Sequence, residues 1–210
     1  NGVECPCVQI VDACRLLFTN NFCRDTRNID AGTITTDYDH NLYNLTSSVI
    51  HCTLLDGATQ DDPLDWSSMV VTGNYIEGFG REEYGGVNGI GVVDCYARGG
   101  NVSITGNVFR NNNASAVRGK SNHKSLVISG NSIENTPSTY KNYGGINLGP
   151  PTYGSQQGYT SITGNTIKGV AFGIQVVGDN APPENSDAGI ADDDDNAIND
   201  ITIVGNSVYS

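Results

Sequence analysis

The sequence has little charge, and most of the charge that it has is negative. Charged residues make up 16% of the chain, with 11 Lys and Arg against 23 Asp and Glu, so the formal net charge is −12. Neutralising a phosphate backbone requires a basic surface, so this balance argues against nucleic acid as a partner. It argues equally against binding to anionic membrane surfaces.

Long apolar runs are also missing. No run approaches the ~20 residues of a membrane span, so we expect no membrane insertion. The chain begins at Asn1 with no visible signal peptide, and we interpret it as a processed chain or a piece of a longer one. The residues typical of helices, Ala, Leu, Glu and Lys, are used sparingly.

Glycine and asparagine are abundant instead. The chain contains 26 Gly and 24 Asn, nearly a quarter of its 210 residues. Both residues tolerate the positive φ that tight turns require. The composition therefore predicts many short strands joined by turns, with little helix.

Six cysteines are present, and four of them lie in the first 23 residues. They are Cys5, Cys7, Cys14, Cys23, Cys52 and Cys95. An even count allows many pairings and the sequence selects none of them, so buried thiols, one or two disulfides and a metal site all stay open. Cysteine usage therefore does not fix the compartment.

An internal repeat is the most informative feature. Five segments share a strand-like stretch, a Gly-Asn pair and a further apolar residue: 70–76, 103–109, 127–133, 161–167 and 202–208. Weaker copies lie at 18–23 and 50–55. Each unit is too short to bury its own apolar side, so the units are expected to stack on one another.

The alternation within each unit assigns its faces. In the third copy Leu126 and Ile128 alternate with Val127, which is the period of two of a half-buried strand. Ile133, three residues after the Gly, belongs to a second apolar column. We expect Ile128 and its equivalents to form the core.

A second strand follows in most units, at 89–92, 116–119, 145–148 and 173–176. Its inward residues are expected to be Ile90, Val117, Ile146 and Ile174. Its outward residues are expected to be Gly91, Arg118, Asn147 and Gln175, on successive strands.

The asparagines of the Gly-Asn pairs recur once per unit. They are Asn74, Asn107, Asn131, Asn165 and Asn206. Stacked asparagines can bond to one another and to turn backbone, so we interpret them as a structural ladder rather than a ligand site.

This pattern resembles the parallel β-helix repeat of pectate-lyase-like proteins, loosely I-x-G-N-x-I followed by G-I-x-V, and is most similar to phage tailspike and tail-fibre domains. The resemblance implies an all-β fold: a single-stranded right-handed parallel β-helix of about six to seven coils with inserted loops. It covers residues 15–210, which would be part of a longer chain. Residues 1–14 would form an N-terminal cysteine-containing lead-in or cap.

The resemblance also implies a function outside the cell or on a virion tail. Such a β-helix would bind, and in some cases cleave, surface polysaccharide, and would assemble as a homotrimer or larger assembly. Two alternatives are a secreted polysaccharide lyase or epimerase, and a non-catalytic structural surface or filament protein whose exposed ends add to another subunit.

Catalytic candidates follow from these hypotheses. β-Helix lyases that this chain resembles use Arg or Lys to remove a proton beside a uronate carboxyl group, which points to Arg118 and Lys120. Hydrolysis needs two carboxyl groups, and the predicted register would place Asp94 roughly 14 Å from Asp179, too far for a pair. Glu82 and Glu83 lie in a loop that could lean over the same face.

Ligand and metal candidates complete the list. Asn147 and Gln175 offer planar amides to sugar hydroxyls, and loop aromatics offer flat faces: Trp66, Tyr84, Tyr143 and Tyr153. The alternative to sugar binding is that Asn147 and Gln175 belong to a solvated polar face and that the aromatic residues pack within their loops. No metal site and no cofactor are predicted, although the acidic run at 192–195 leaves Ca²⁺ open.

Overall fold

The computed structural model describes residues 8–11, 15–24, 49–53, 68–79, 92–95, 100–112, 115–120, 125–135, 144–149, 158–176 and 200–209. These residues form eighteen β-strands and contain no helix. Within these ranges, therefore, no helix has the length and apolar character of a membrane span.

The strands form three six-stranded sheets, here called sheets A, B and C, in which every strand pairing is parallel. Sheet A contains β1 (Val8–Val11), β4 (Ile50–Thr53), β7 (Val93–Cys95), β10 (Val117–Lys120), β13 (Gly144–Gly149) and β16 (Phe172–Val176). Sheet B contains β2 (Arg15–Thr19), β5 (Ser68–Thr72), β8 (Asn101–Thr105), β11 (Ser125–Ser129), β14 (Tyr159–Thr163) and β17 (Ile201–Val204). Sheet C contains β3 (Phe22–Arg24), β6 (Tyr75–Glu77), β9 (Val108–Arg110), β12 (Ser132–Glu134), β15 (Thr166–Lys168) and β18 (Ser207–Tyr209).

Consecutive strands belong to sheets A, B and C in turn, and this order repeats along the chain. Each strand therefore pairs with the strand three places later. Parallel strands need a long crossover, and here the other two sheets supply it in place of a helix. We call three consecutive strands, one from each sheet, a repeat, and the described residues contain six repeats. The predicted all-β class with little helix is confirmed for this part of the chain.

The core consists of the columns that the alternation predicts. In sheet B, Val71, Ile104, Ile128 and Ile162 are fully buried register partners. Sheet C contributes Ile76, Phe109, Ile133 and Ile167, and sheet A contributes Ile50, Val93, Val117 and Ile146. Each sheet therefore buries one face, and the polar residues between these columns lie on the other.

The Gly-Asn pair makes the turn from sheet B to sheet C. The glycines at this position have φ between 62° and 67°, the left-handed region that costs other residues energy. In the first repeat Asn20 takes the position with a φ of 55°. Asparagine tolerates this conformation better than other residues, which explains how a weaker copy of the motif keeps the turn.

Two strand assignments made from sequence are wrong. The repeat pattern predicts that segment 50–55 is a weaker copy of the Gly-Asn strand, but β4 pairs with β1 and β7 in sheet A. The second strand predicted at 89–92 is replaced by β7, where Val93 is the register partner of Val117. Ile90 and Gly91 lie outside the described residues. Neither segment carries a Gly-Asn turn, so alternation alone could not assign its sheet or register.

The N-terminal segment takes part in the sheets. β1 lies within residues 1–14, the segment expected to be a lead-in or cap, and it is the first strand of sheet A. The first repeat therefore begins at Val8.

Candidate functional site

Sheet A carries one polar residue per strand at a single register position. We call this set the polar column: Gln9, His51, Asp94, Arg118, Asn147 and Gln175. Neighbouring strands of a sheet lie about 4.8 Å apart, so five spacings give the column a length of about 24 Å. The sequence therefore places six hydrogen-bonding residues in a straight line at regular intervals.

The local sequence explains why these residues are on the outer face. Arg118 follows Val117, and Asn147 lies between Ile146 and Leu148, all three of which are fully buried. Successive residues of a strand alternate between faces, so burying these apolar residues turns Arg118 and Asn147 outward. Arg118, Asn147 and Gln175 are half-buried. They are reachable by a ligand yet held within a regular sheet.

Asp94 lies on the strand beside Arg118, which the sequence analysis did not foresee. The two residues are direct register partners on β7 and β10. Their Cα atoms are therefore about 4.8 Å apart. The signal was present in the sequence: aligning 92–95 on 116–119 places Val93 on Val117 and Asp94 on Arg118.

The other catalytic candidates divide between described and undescribed parts of the chain. Lys120 lies two residues beyond Arg118 on β10, opposite Gly149. Glu82 and Glu83 lie outside the described residues, as does Asp179. The aromatic candidates Trp66, Tyr84, Tyr143 and Tyr153 and the acidic run at 192–195 also lie outside them.

Gln9 and His51 extend the column beyond the three residues predicted for it. His51 is the register partner of both Gln9 and Asp94. Sequence reasoning missed both residues because it did not assign β1 and β4 to sheet A. Among the described residues, no group of three or more His, Cys, Asp or Glu is placed to hold a metal ion.

The asparagines of the Gly-Asn turns form a continuous hydrogen-bonded ladder. Asn107 donates both its backbone N–H and its Nδ2–H to Oδ1 of Asn131, each at 3.0 Å. A second Nδ2–H bond of Asn107 reaches the carbonyl oxygen of Val71 at 2.9 Å. Asn74, Asn107, Asn131 and Asn165 are each 1% exposed. These amides are engaged in holding successive repeats together, and they are shielded from a ligand.

The outer face of sheet C carries charges of alternating sign. Its register places Arg24, Glu77, Arg110, Glu134 and Lys168 side by side. Arg24 Nε lies 3.1 Å from Glu77 Oε2, and Lys168 Nζ lies 3.6 Å from Glu134 Oε1. Opposite charges on neighbouring strands stabilise a sheet, so this face is occupied with its own contacts.

The outer face of sheet B bonds to itself as well. Thr105 Oγ1 donates to Thr72 Oγ1 at 3.1 Å. Hydrogen bonds from Thr202 and, to a lesser extent, Ser161 lower the pKa of Tyr159 from its ordinary value of 10.0. On sheet A, by contrast, three unlike residues, Arg118, Asn147 and Gln175, follow one another at a single register position and are half-buried.

Comparisons with known proteins found no match. The chain matches no protein-family model, no curated protein and no solved structure. Any function must accordingly be argued from the residues of the polar column and their geometry.

Proposed function

We propose that this chain is part of an extracellular or virion-surface β-helix that binds surface polysaccharide along the polar column. The rotation of the chain through three parallel sheets supports a single parallel β-helix. The right-handed preference of parallel crossovers supports a right-handed one. The resemblance of the repeat to tailspike and tail-fibre domains supports a location outside the cell.

The observation that carries the proposal is the in-register column itself. A polysaccharide is a linear ligand whose hydroxyl groups recur at each sugar unit. The guanidinium of Arg118 and the amides of Asn147 and Gln175, on strands about 4.8 Å apart, can contact successive sugars of one chain. Asn147 and Gln175 each present both a donor and an acceptor, which suits a hydroxyl group that does both.

Each single contact contributes little, and the affinity comes from their number. A hydrogen bond between neutral groups is worth about 0.5–1.5 kcal/mol net. Contacts repeated along the column therefore add into useful affinity for a polymer but not for a monosaccharide. This arrangement selects ligands by length and by the spacing of their polar groups.

The screen that tests this proposal is a glycan array probed with the purified chain, with its mass in solution recorded. Asn147→Ala should weaken binding of each hit about tenfold, which corresponds to about 1.4 kcal/mol. Asn101→Ala is the matched control, because Asn101 is an exposed asparagine on the outer face of sheet B. A folded chain that binds no glycan would favour the structural hypothesis instead.

A second candidate, a polysaccharide lyase or epimerase, is favoured by the two basic residues that lie two positions apart on β10, Arg118 and Lys120. In a lyase the base, Arg118 or Lys120, takes the proton beside the uronate carboxyl group. The electron pair of that C–H bond forms a double bond, and the glycosidic oxygen leaves with the bonding pair and takes up a proton from water. The product is an unsaturated uronate that absorbs ultraviolet light.

Activity on pectate or alginate would show as a rise in ultraviolet absorbance. Arg118→Gln should abolish this rise, whereas Arg110→Gln, the same change on sheet C, should leave it intact. Equal activity of Arg118→Gln and the wild type would exclude Arg118 as the base. Glycan binding without product would leave the chain as a binding protein.

A further inference from the structure

Two of the six cysteines occupy neighbouring strands of sheet A at the same register position. Cys52 lies on β4 and Cys95 lies on β7, and the parallel pairing of these strands makes the two residues direct partners. Neighbouring strands of a sheet lie about 4.8 Å apart, so the Cα atoms of the two cysteines are separated by about this distance. Folding therefore brings together two cysteines that are far apart in the sequence.

Both cysteines take core-side positions of their strands. Ile50 precedes Cys52 by two residues and Val93 precedes Cys95 by two residues. Ile50 and Val93 are both fully buried. Residues two apart in a strand lie on the same face of a sheet, so the two cysteines belong to the buried face of sheet A. They are therefore neighbours on the side of the sheet opposite to the polar column.

The spacing of the two positions fits a disulfide bond. Cysteines joined by a disulfide usually have Cα atoms about 4.4–6.8 Å apart, and the distance between adjacent strands falls within this range. Cys95 is the last residue of β7, so a small backbone adjustment there distorts no continuing strand. Its register partner on β10 is Gly119, which is buried and contributes no side chain to this level of the core.

The junction that these cysteines share is short. β4 and β7 are joined by three register pairs, whereas β5 and β8, which join the same two repeats in sheet B, have five. Fewer pairs mean fewer backbone hydrogen bonds between the second and third repeats in sheet A. A covalent bond at this level would strengthen the junction on the sheet where the ladder between these repeats is short.

The distribution of the other cysteines agrees with this pairing. Joining Cys52 to Cys95 leaves an even number of cysteines for the first 23 residues: Cys5, Cys7, Cys14 and Cys23. Cys23 lies on sheet C, and its register partner there is Ile76 rather than a cysteine. Among the strands that the structure describes, Cys52 and Cys95 are therefore the cysteines that register brings together.

We propose that Cys52 and Cys95 form a disulfide bond that joins the second and third repeats, with a low-molecular-weight disulfide such as oxidised glutathione as the oxidant. One cysteine thiolate attacks a sulfur of oxidised glutathione, which forms a mixed disulfide and releases one glutathione thiolate. The other cysteine thiolate attacks the protein sulfur of that mixed disulfide and releases the second glutathione. The two protein thiols lose two electrons and two protons, and one glutathione disulfide is reduced to two glutathione thiols.

The bond would fix the register of two strands that carry the polar column. The cysteines directly follow His51 and Asp94, which are register partners in that column. A cross-link one residue away prevents β4 from slipping along β7. Closing a long loop also lowers the conformational entropy of the unfolded chain, which stabilises the fold. Disulfides persist in oxidising surroundings outside the cell, which is the location proposed for this chain.

Peptide mapping of the full chain tests the pairing directly. The chain is folded in a glutathione redox buffer, unfolded in urea with N-ethylmaleimide to block free thiols, and digested with trypsin without reduction. Cleavage after Lys and Arg places Cys52 alone in peptide 28–81 and Cys95 alone in peptide 82–98. We expect mass spectrometry to find these two peptides joined, and a reductant to separate them. The other four cysteines fall in peptides 1–15 and 16–24, so a different partner gives a different mass.

Thermal unfolding measures what the bond contributes. A variant that keeps Cys52 and Cys95 and has alanine at the other four cysteine positions isolates this pair. Reductant should lower its unfolding midpoint by about 10 °C, because the long closed loop is released in the unfolded state. A variant with alanine at all six cysteine positions is the matched control, and its midpoint should not respond to reductant.

Other outcomes of the mapping would overturn the proposal. Maleimide on both Cys52 and Cys95, in a chain that circular dichroism shows to be folded, would mean that they are free thiols in the core. Peptide 28–81 joined to 1–15 or to 16–24 would show that Cys52 has an N-terminal partner instead.

The result is also separable from polysaccharide binding, because the mapping uses no glycan. The disulfide in a chain that binds no glycan would support this proposal and count against the proposed function. Glycan binding by a folded chain in which both cysteines carry maleimide would do the reverse.

Discussion

The fourth repeat, β10 to β12, and the sixth repeat, β16 to β18, carry the same motif but differ in burial. Ile128 and Ile133 in the fourth repeat are 0% and 2% exposed, whereas Ile203 and Val208 at the same positions of the sixth are 48% and 54% exposed. The residues and the turn are alike, so the motif alone does not determine burial. A repeat becomes buried only when a neighbour lies on each side of it.

This difference indicates how the fold is stabilised. Burying an Ile side chain contributes about 1.5–3 kcal/mol, and a repeat with one neighbour obtains only part of that. Interior repeats should therefore tolerate substitution worse than the last repeat, even at identical motif positions. Substituting equivalent residues in the two regions and comparing the loss of stability tests this expectation.

The largest difference is expected for a charge placed in the core. Ile128→Asp buries a carboxylate with no partner and should lower the free energy of unfolding by on the order of 4 kcal/mol or more. Ile203→Asp, the same change at the half-exposed position, should cost less than about 1 kcal/mol. Urea unfolding followed by circular dichroism measures both, and equal losses would mean that the face assignment is wrong.

The asparagine ladder should show a smaller contrast. Asn131→Ala deprives the N–H and Nδ2 of Asn107 of their acceptor and should cost about 2–4 kcal/mol, because both donors are buried. Asn206 is itself half-buried, so in Asn206→Ala water can reach the donors of Asn165 in place of the lost acceptor, and the change should cost about 1 kcal/mol. Thermal unfolding of the two variants compares them. A larger loss for Asn206→Ala would contradict the contrast.

The turn position gives the smallest effect and extends the comparison to the first repeat. Gly130→Ala meets no atom within 4 Å of the added Cβ but keeps a φ of 62°, so conformational strain alone should cost about 1 kcal/mol. Asn20→Gly relieves the same strain in the first repeat and should gain a few tenths of a kcal/mol. Denaturation midpoints report both signs, and a loss for Asn20→Gly would show that its side chain contributes contacts.

Sequence reasoning predicted sheets B and C well because every repeat but the first marks them with a Gly-Asn turn, and the first has Asn20-Asn21 in its place. Gly130 and Asn131 tell where β11 ends and β12 begins, and the alternation around Ile128 then assigns the buried face. The third sheet has no such marker. The assignments of β4 and β7 failed because pairing with a distant strand, rather than local sequence, sets their register.

The candidate site was predicted in part for the same reason. Arg118, Asn147 and Gln175 lie on strands whose apolar alternation is unambiguous, and the structure places them on adjacent strands. The positions of Asp94 and His51 in the column depend on how β7 and β4 pair with their neighbours, which the local sequence does not specify.

The central claim, that a polysaccharide binds along the polar column, is tested most directly by measuring affinity against oligosaccharide length. Oligomers of the best array hit should bind more tightly with each added sugar until they span about 24 Å, and then reach a plateau. Asn147→Ala should flatten this rise, and Asn101→Ala should leave it unchanged. An affinity that does not depend on length beyond one or two sugars would contradict a binding site that runs along sheet A.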